Sequence, residues 1–285
     1  MKIVEITYRY SAQHTRSRPT DSDAAQKRLE AGNQAFTELL RRANDSDTTQ
    51  WVIDVDLQDL GVVEGGNQGP KQRPFAAVLG CSDARVPIEL IFNEGPNDLF
   101  VIRVAGNGLG SEVLGSLKYA VEHLGGSMKV VAVLGHSGCG AVTSAVDVFL
   151  EPSRYLALTG SHSLRAILDR LLVVIQASAK RMQDVLGPDV TRLPGYRTAL
   201  IETSIVINAA LAAHTMQNEL ESSGAGDIRA VYGVYLLETR QIWAPRRGTA
   251  VWTGLANPPM IQADFDELGI VLLHSDRIAS LLKSG

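Results

Sequence analysis

Cysteine is nearly missing from this chain: among 285 residues there are two, Cys81 and Cys139. So few cannot form the multi-bridge framework of a small secreted domain. A composition of 45% hydrophobic and 20% charged residues supplies core enough to fold without staples. Reduced thiols, and with them a reducing compartment, are the expectation. Also missing is any run approaching the ~18 consecutive apolar residues of a membrane-spanning helix. The opening stretch Met1 to Tyr10 lacks the apolar h-region of a signal peptide, so a cytoplasmic location is expected. The formal charge of −4 is spread without a basic cluster, which argues against nucleic acid or an anionic membrane surface as partner. The turn Gly106-Asn107-Gly108-Leu109-Gly110 lacks the Gly-x-Gly-x-x-Gly spacing. No acidic residue is placed after a second strand in the dinucleotide-binding manner either, so the glycines are not a phosphate loop.

What is present centres on two short stretches, Cys81-Ser82-Asp83-Ala84-Arg85 and His136-Ser137-Gly138-Cys139-Gly140, which hold both cysteines. Thiolate sulfur and imidazole nitrogen suit Zn²⁺, and three protein ligands leave a fourth tetrahedral position for water or substrate. Cys81, His136 and Cys139 make such a set. Free cysteine is also among the most buried residue types, so each alone reads equally as core. Each, however, follows an apolar run ending in glycine, Ala76 to Gly80 and Val130 to Gly135. Such runs read as buried parallel strands, past whose carboxyl ends open α/β sheets place their chemistry. Asp83 and Arg85 stand two apart just beyond the first run. A guanidinium fork would keep that carboxylate ionised and aimed, able to accept the proton of a zinc-bound water as a hydrogen bond. Cys139 opens a helix, whose amino terminus favours a thiolate.

These motifs resemble those of the β-class carbonic anhydrases: Cys-x-Asp-x-Arg, then His-x-x-Cys, with similar text through Val101 to Asn107, Gly115 to Leu124, and Arg28 to Asn33 followed by Phe36. The resemblance covers most of residues 24 to 240. It implies Zn²⁺ as cofactor on Cys81, His136 and Cys139, Asp83 and Arg85 as the catalytic pair, and CO₂ and bicarbonate as the small-molecule substrates. Zinc-bound hydroxide would attack CO₂ held beside Phe100. It places Gln72, within Gln72-Arg73-Pro74, on the substrate, often from across a dimer interface. Phe100, Tyr119 and Gly138 complete the implied substrate-binding set, while a common valine of the CO₂ pocket is Ala105 here. A first helix lying across a partner subunit implies a homodimer or a higher homo-oligomer. Members inhibited by bicarbonate carry a tryptophan three residues before the first zinc cysteine; that position is Val78 here, although Arg103 matches the arginine of the inhibitory pocket. An open site, with Asp83 on Arg85 at neutral pH and above, is therefore expected. The same metal site in relatives hydrolyses carbonyl sulfide or carbon disulfide, and a zinc-bound assembly protein without turnover would keep the same fold.

The expected fold is α/β: a central, mainly parallel sheet of four strands plus an edge strand, flanked by helices, with an N-terminal helical arm. Residues 1–22 open with a few alternating apolar positions, turn polar from Ser11 to Ser22 and read as an arm or tail, 23–242 as the catalytic domain, and 243–285 as an extension packing on the domain or at an oligomer interface. Helical spacing of Leu29, Phe36, Leu39 and Leu40 marks a helix from Ser22 or Asp23. Further helices are expected over Ser111 to Leu124, His162 to Leu186 and Thr198 to Leu220. Trp51 to Leu57 reads as a short strand, Gly61 to Pro70 as loop with Gly65 and Gly66, and Ala230 to Leu237 as the edge strand. Pro245, Gly248, Gly254, Pro258 and Pro259 punctuate a loop before Asp264, where a strand or helix begins. His14, His123, His162, His214 and His274 have no ligand spacing and read as structural or exposed.

Overall fold

The computed structural model describes residues 2–11, 16–61, 69–157, 161–245 and 254–284. His14, Gly65, Gly66 and Gly248 lie outside the described residues. In chain order the elements are β1 (Ile3–Tyr10), α1 (Ser22–Asp45), β2 (Thr48–Val55), β3 (Ala76–Gly80), the short α2 (Ile88–Ile91), β4 (Leu99–Arg103), α3 (Ser111–Leu124), β5 (Val130–His136), α4 (Gly140–Leu150), α5 (Ser153–Ala157), α6 (His162–Leu186), α7 (Tyr196–Ser222), β6 (Arg229–Tyr235), β7 (Ile242–Trp243), α8 (Gln262–Leu273) and α9 (Asp276–Lys283).

The central sheet has the order β4-β3-β5-β6-β7, with the first four strands parallel and β7 antiparallel. Ala230 to Leu237 does not form the edge: β6 lies inside the sheet, bonded to β5 on one side and β7 on the other. Its near-complete burial is what a parallel strand covered on both faces requires. The edge is instead the two-residue β7, too short to leave a period in the sequence. The N-terminal stretch read as an arm or tail opens with a strand, β1, which runs parallel to β2 with Ile3 opposite Thr48 and Tyr10 opposite Val55.

Alternation along the central strands divides the core. Ala77 and Leu79 of β3 and Val131 and Val133 of β5 face one side, packed with α4, α6 and α7. Ala76, Val78, Val130, Ala132 and Leu134 face the other, against α1 and α2. On that second side α1 is capped by Asp21, whose side chain accepts a 2.8 Å hydrogen bond from Ala24 N and so satisfies an otherwise orphaned helix donor. Its apolar stripe buries Leu29, Phe36 and Leu39.

Helix α7 is long and apolar enough to cross a membrane, yet 78% of its most apolar window is buried inside the protein, where it packs on β5 and β6. The tail end of the chain forms the helices α8 and α9, not a strand. Leu268, Leu272, Leu273, Ile278 and Leu282 add their side chains to the core shared with α6 and α7.

Candidate metal centre

The carboxyl ends of β3 and β5 lie side by side, with Gly80 paired to Leu134. Cys81 leaves β3 there, His136 is the last residue of β5, and Cys139 caps α4 three residues on. The turn between the two β5-side ligands depends on Gly138. Its φ of +61° lies in the left-handed region, where a side chain is unfavourable even with open space around it. All three residues are buried, and their ligand atoms lie within 4.8 Å of one another.

This donor set fits a zinc ion. The sulfurs of Cys81 and Cys139 stand 3.9 Å apart. Two thiolates held tetrahedrally at ~2.3 Å from one ion would lie about 3.8 Å apart. The His136 ring sits with Nδ1 3.0 Å from the carbonyl oxygen of Ser137. A carbonyl can only accept, so Nδ1 carries the proton and Nε2 presents its lone pair. Nε2 is buried and has no hydrogen-bond partner among the described residues. An orphaned buried acceptor is costly, and metal coordination is what this one is shaped for. Between the cysteines, a thiol–thiolate hydrogen bond divides one proton: it lowers the Cys81 pKa, helped by the Gly106 amide, and raises that of Cys139 together with burial. A bound cation would hold both as thiolates.

Asp83 borders the cluster, its Oδ2 3.8 Å from His136 Nε2. Arg85 grips it bidentately, Nε to Oδ1 at 2.9 Å and Nη2 to Oδ2 at 2.7 Å, and the Arg85 amide adds a third bond to Oδ1. These bonds, the Arg85 side chain first, hold the carboxyl far below the usual carboxylate range. Arg103, at the end of β4, donates from Nε to the Cys81 carbonyl at 3.0 Å and from Nη2 to the Asp83 carbonyl at 2.5 Å. It thereby fixes the backbone of the Cys81–Arg85 motif.

Of the expected substrate-binding residues, Gly138 lies in the ligand turn, and Phe100 packs against the core cluster containing Cys81 and Cys139. Tyr119 is 49% exposed on α3 and stacks on His123, with ring centroids 4.4 Å apart. Gln72 is exposed ahead of β3. Within one chain, then, the cluster gathers Cys81, Asp83, Arg85, His136, Gly138 and Cys139, while Gln72 and Tyr119 stand at the surface.

Sequence reasoning missed the residues behind the ligand turn. The Gly138 amide donates 2.8 Å to Glu202 Oε1, and Ser137 Oγ donates 2.9 Å to Glu238 Oε2. Glu202 carried a signal, as a charge inside the apolar run Leu200-Ile201-Glu202 of α7. Glu238 carried none.

A family profile described as carbonic anhydrase matches residues 76–230, more than half of the chain. The chain belongs to the β-carbonic anhydrase family. It is similar to carbonic anhydrase 2 of Mycobacterium tuberculosis, 48% identical over 75 residues that make up 26% of this chain and 35% of the relative. It is also similar to the carbonic anhydrase of Mycolicibacterium smegmatis, 46% identical over 88 residues covering 30% of this chain and 42% of the relative. The matches thus span well under half of these curated relatives' length. A solved β-carbonic anhydrase from Coccomyxa, in complex with acetazolamide, is 20% identical with a TM-score of 0.47, covering 75% of this chain and 83% of that one. The matched family span contains every residue of the cluster and leaves α8 and α9 outside it.

Proposed function

We propose that this chain is a zinc-dependent carbonic anhydrase that interconverts CO₂ and bicarbonate, and that it works as a homo-oligomer. One observation carries the reading: three soft donors converge, His136 turning an unpartnered Nε2 into the cluster, beside a carboxylate that Arg85 keeps charged and aimed. Bound Zn²⁺ would supply a Lewis acid that lowers the pKa of a coordinated water toward ~7, making a nucleophile available near neutral pH. Cys81, His136 and Cys139 would hold the ion. Asp83, charged throughout that pH range, would accept a hydrogen bond from water at the fourth position and orient it. Arg85 would keep Asp83 from swinging onto the ion by occupying both of its oxygens. Arg103 would hold the strand-end backbone on which Cys81 and Asp83 are mounted. Phe100 would present apolar surface to CO₂ from the Cys81 side of the sheet. Gln72 and Tyr119, both exposed within a chain, would serve a site completed by a neighbouring copy.

The test is stopped-flow CO₂ hydration by zinc-replete protein against protein stripped by a chelator. Hydration that appears with zinc and is lost on stripping is expected. Zinc-loaded protein that hydrolyses carbonyl sulfide or carbon disulfide but leaves CO₂ untouched would overturn the substrate assignment. Loaded protein inert toward all three would point to the assembly role.

A further inference from the structure

Behind the ligand turn, on the face formed by α7, the end of β6 and α9, three charged side chains meet. Arg277 of α9 donates from Nη2 to Glu202 Oε2 at 2.6 Å and from Nη1 to Glu238 Oε1. The other oxygens of those carboxylates are the ones that accept from Gly138 N and Ser137 Oγ. Ser137 is tied in further, its Oγ accepting from Leu237 N at 2.9 Å and its carbonyl fixing the His136 ring through Nδ1. A continuous path therefore runs from Arg277 through two carboxylates to the two residues between the ligands His136 and Cys139. Glu202 is only 7% exposed. A buried carboxylate left beside a second one, with no counter-charge, is strongly unfavourable, and the side chains would have to move apart or admit water. Arg277 is seated for its task by packing as well, with Ile278 fully buried beside it and Trp243 flanking its guanidinium at 6.0 Å.

We propose that Arg277 is a positioning residue for the metal site: it locks the Glu202 and Glu238 carboxylates that shape the Ser137–Gly138 turn, so that the C-terminal helix sets the angle of His136 and Cys139. The proposal rests on the cluster being a zinc site, as argued above. It assigns to a segment outside the matched family span a direct part in ligand geometry.

The test compares wild type, Arg277→Met, Arg277→Lys and Glu238→Ala, each loaded with zinc or cobalt well below its unfolding temperature. Outer-shell partners of metal ligands typically change affinity or activity by about 10–100-fold when removed. Arg277→Met is therefore expected to pass zinc to a colorimetric chelator about tenfold faster or more, with displaced visible bands in the cobalt form. Arg277→Lys, which keeps the charge but not the fork, should fall between. Glu238 is more exposed than Arg277, 49% against 22% of the side chain, so Glu238→Ala threatens folding less and carries the test if Arg277→Met does not fold, with the same direction expected. Cobalt bands and zinc-release rates equal to wild type, even alongside a lower Tm, would reduce Arg277 to a structural clamp and overturn the proposal. Wild-type protein that takes up no zinc overturns both readings. Wild type that loads zinc and hydrates CO₂ while the variants release zinc at its rate overturns this one alone.

Discussion

Each ligand residue has a single job that a near-isostere cannot do. Cys139→Ser replaces a sulfur that a cation can hold as thiolate with a hydroxyl that stays protonated, so zinc should fall from about one per chain to a small fraction, measured by metal analysis after gel filtration. Full retention would remove Cys139 from the ligand set. Asp83→Asn should keep zinc but lower kcat by about 10²-fold or more, because an amide offers both donor and acceptor atoms where only an acceptor orients the water usefully. An unchanged kcat would leave Asp83 a surface ion-pair partner. The pairing with Arg85 also has a pH signature. The folded pKa of Asp83 lies below its unfolded value, so the stabilisation is fully present above about pH 4 and is lost as pH falls through the folded value. The Tm gap between wild type and Arg85→Gln, small for a pair with so exposed an arginine, should be constant from pH 5 to 8 and close below about pH 4. A gap that widens on acidification would contradict the bidentate geometry.

Elements differed in how plainly the sequence announced them. Strands β3 and β5, the Cys81 and His136–Cys139 motifs at their carboxyl ends, and helices α3 and α6 were legible because each couples a continuous apolar run or a helical period to a terminator, and burial on both faces gives an unbroken run. The similar run from Ala230 to Leu237 was ambiguous about position: an apolar strand reads alike whether it sits at an edge or one place in, so the true edge, Ile242–Trp243, passed unseen. The β1 strand did leave an alternation of apolar and polar positions, but nearly its whole length is exposed, so the alternation marked no core face and read as an arm. Hardest to read were the supports of the site. Arg277 meets Glu202 and Glu238 across long separations in sequence, and no local period records such a pairing. The docking of α9 does leave one trace, at Gly195 before α7. A Cβ there would lie 1.8 Å from the Leu281 carbonyl oxygen, although its φ of −84° suits any residue. Gly195→Ala is therefore a purely steric probe, expected to cost about 1–3 kcal/mol in denaturant unfolding as overpacking does. A neutral result would mean that α9 sits away from α7 in solution.

At the scale of the whole molecule, the chain leaves a surface that a single copy does not explain. β1 and β2 form a two-stranded parallel sheet, whereas parallel sheets are ordinarily covered and two-stranded ribbons are marginal by themselves. Along β1, Ile3, Val4, Ile6 and Tyr8 are 36–42% exposed. In the same chain Gln72 and Tyr119, both expected at the substrate, point to the outside. A neighbouring copy would answer both features, covering the β1 face and supplying surface residues to the cluster. The expectation is that the protein sediments as a dimer or larger species and that Ile6→Lys shifts it toward the monomer. Ile6 is 37% exposed within one chain, so in a monomeric protein the change should be nearly neutral, within about 0.5 kcal/mol, as is usual for surface positions. Sedimentation velocity over a dilution series, with CO₂ hydration followed on the same samples, separates the cases. Activity that falls as the assembly dissociates, while zinc stays bound, places part of the substrate site on the neighbour. A monomeric wild type hydrating CO₂ at full rate would instead show that one chain is sufficient and that the β1 face stays open without a second copy.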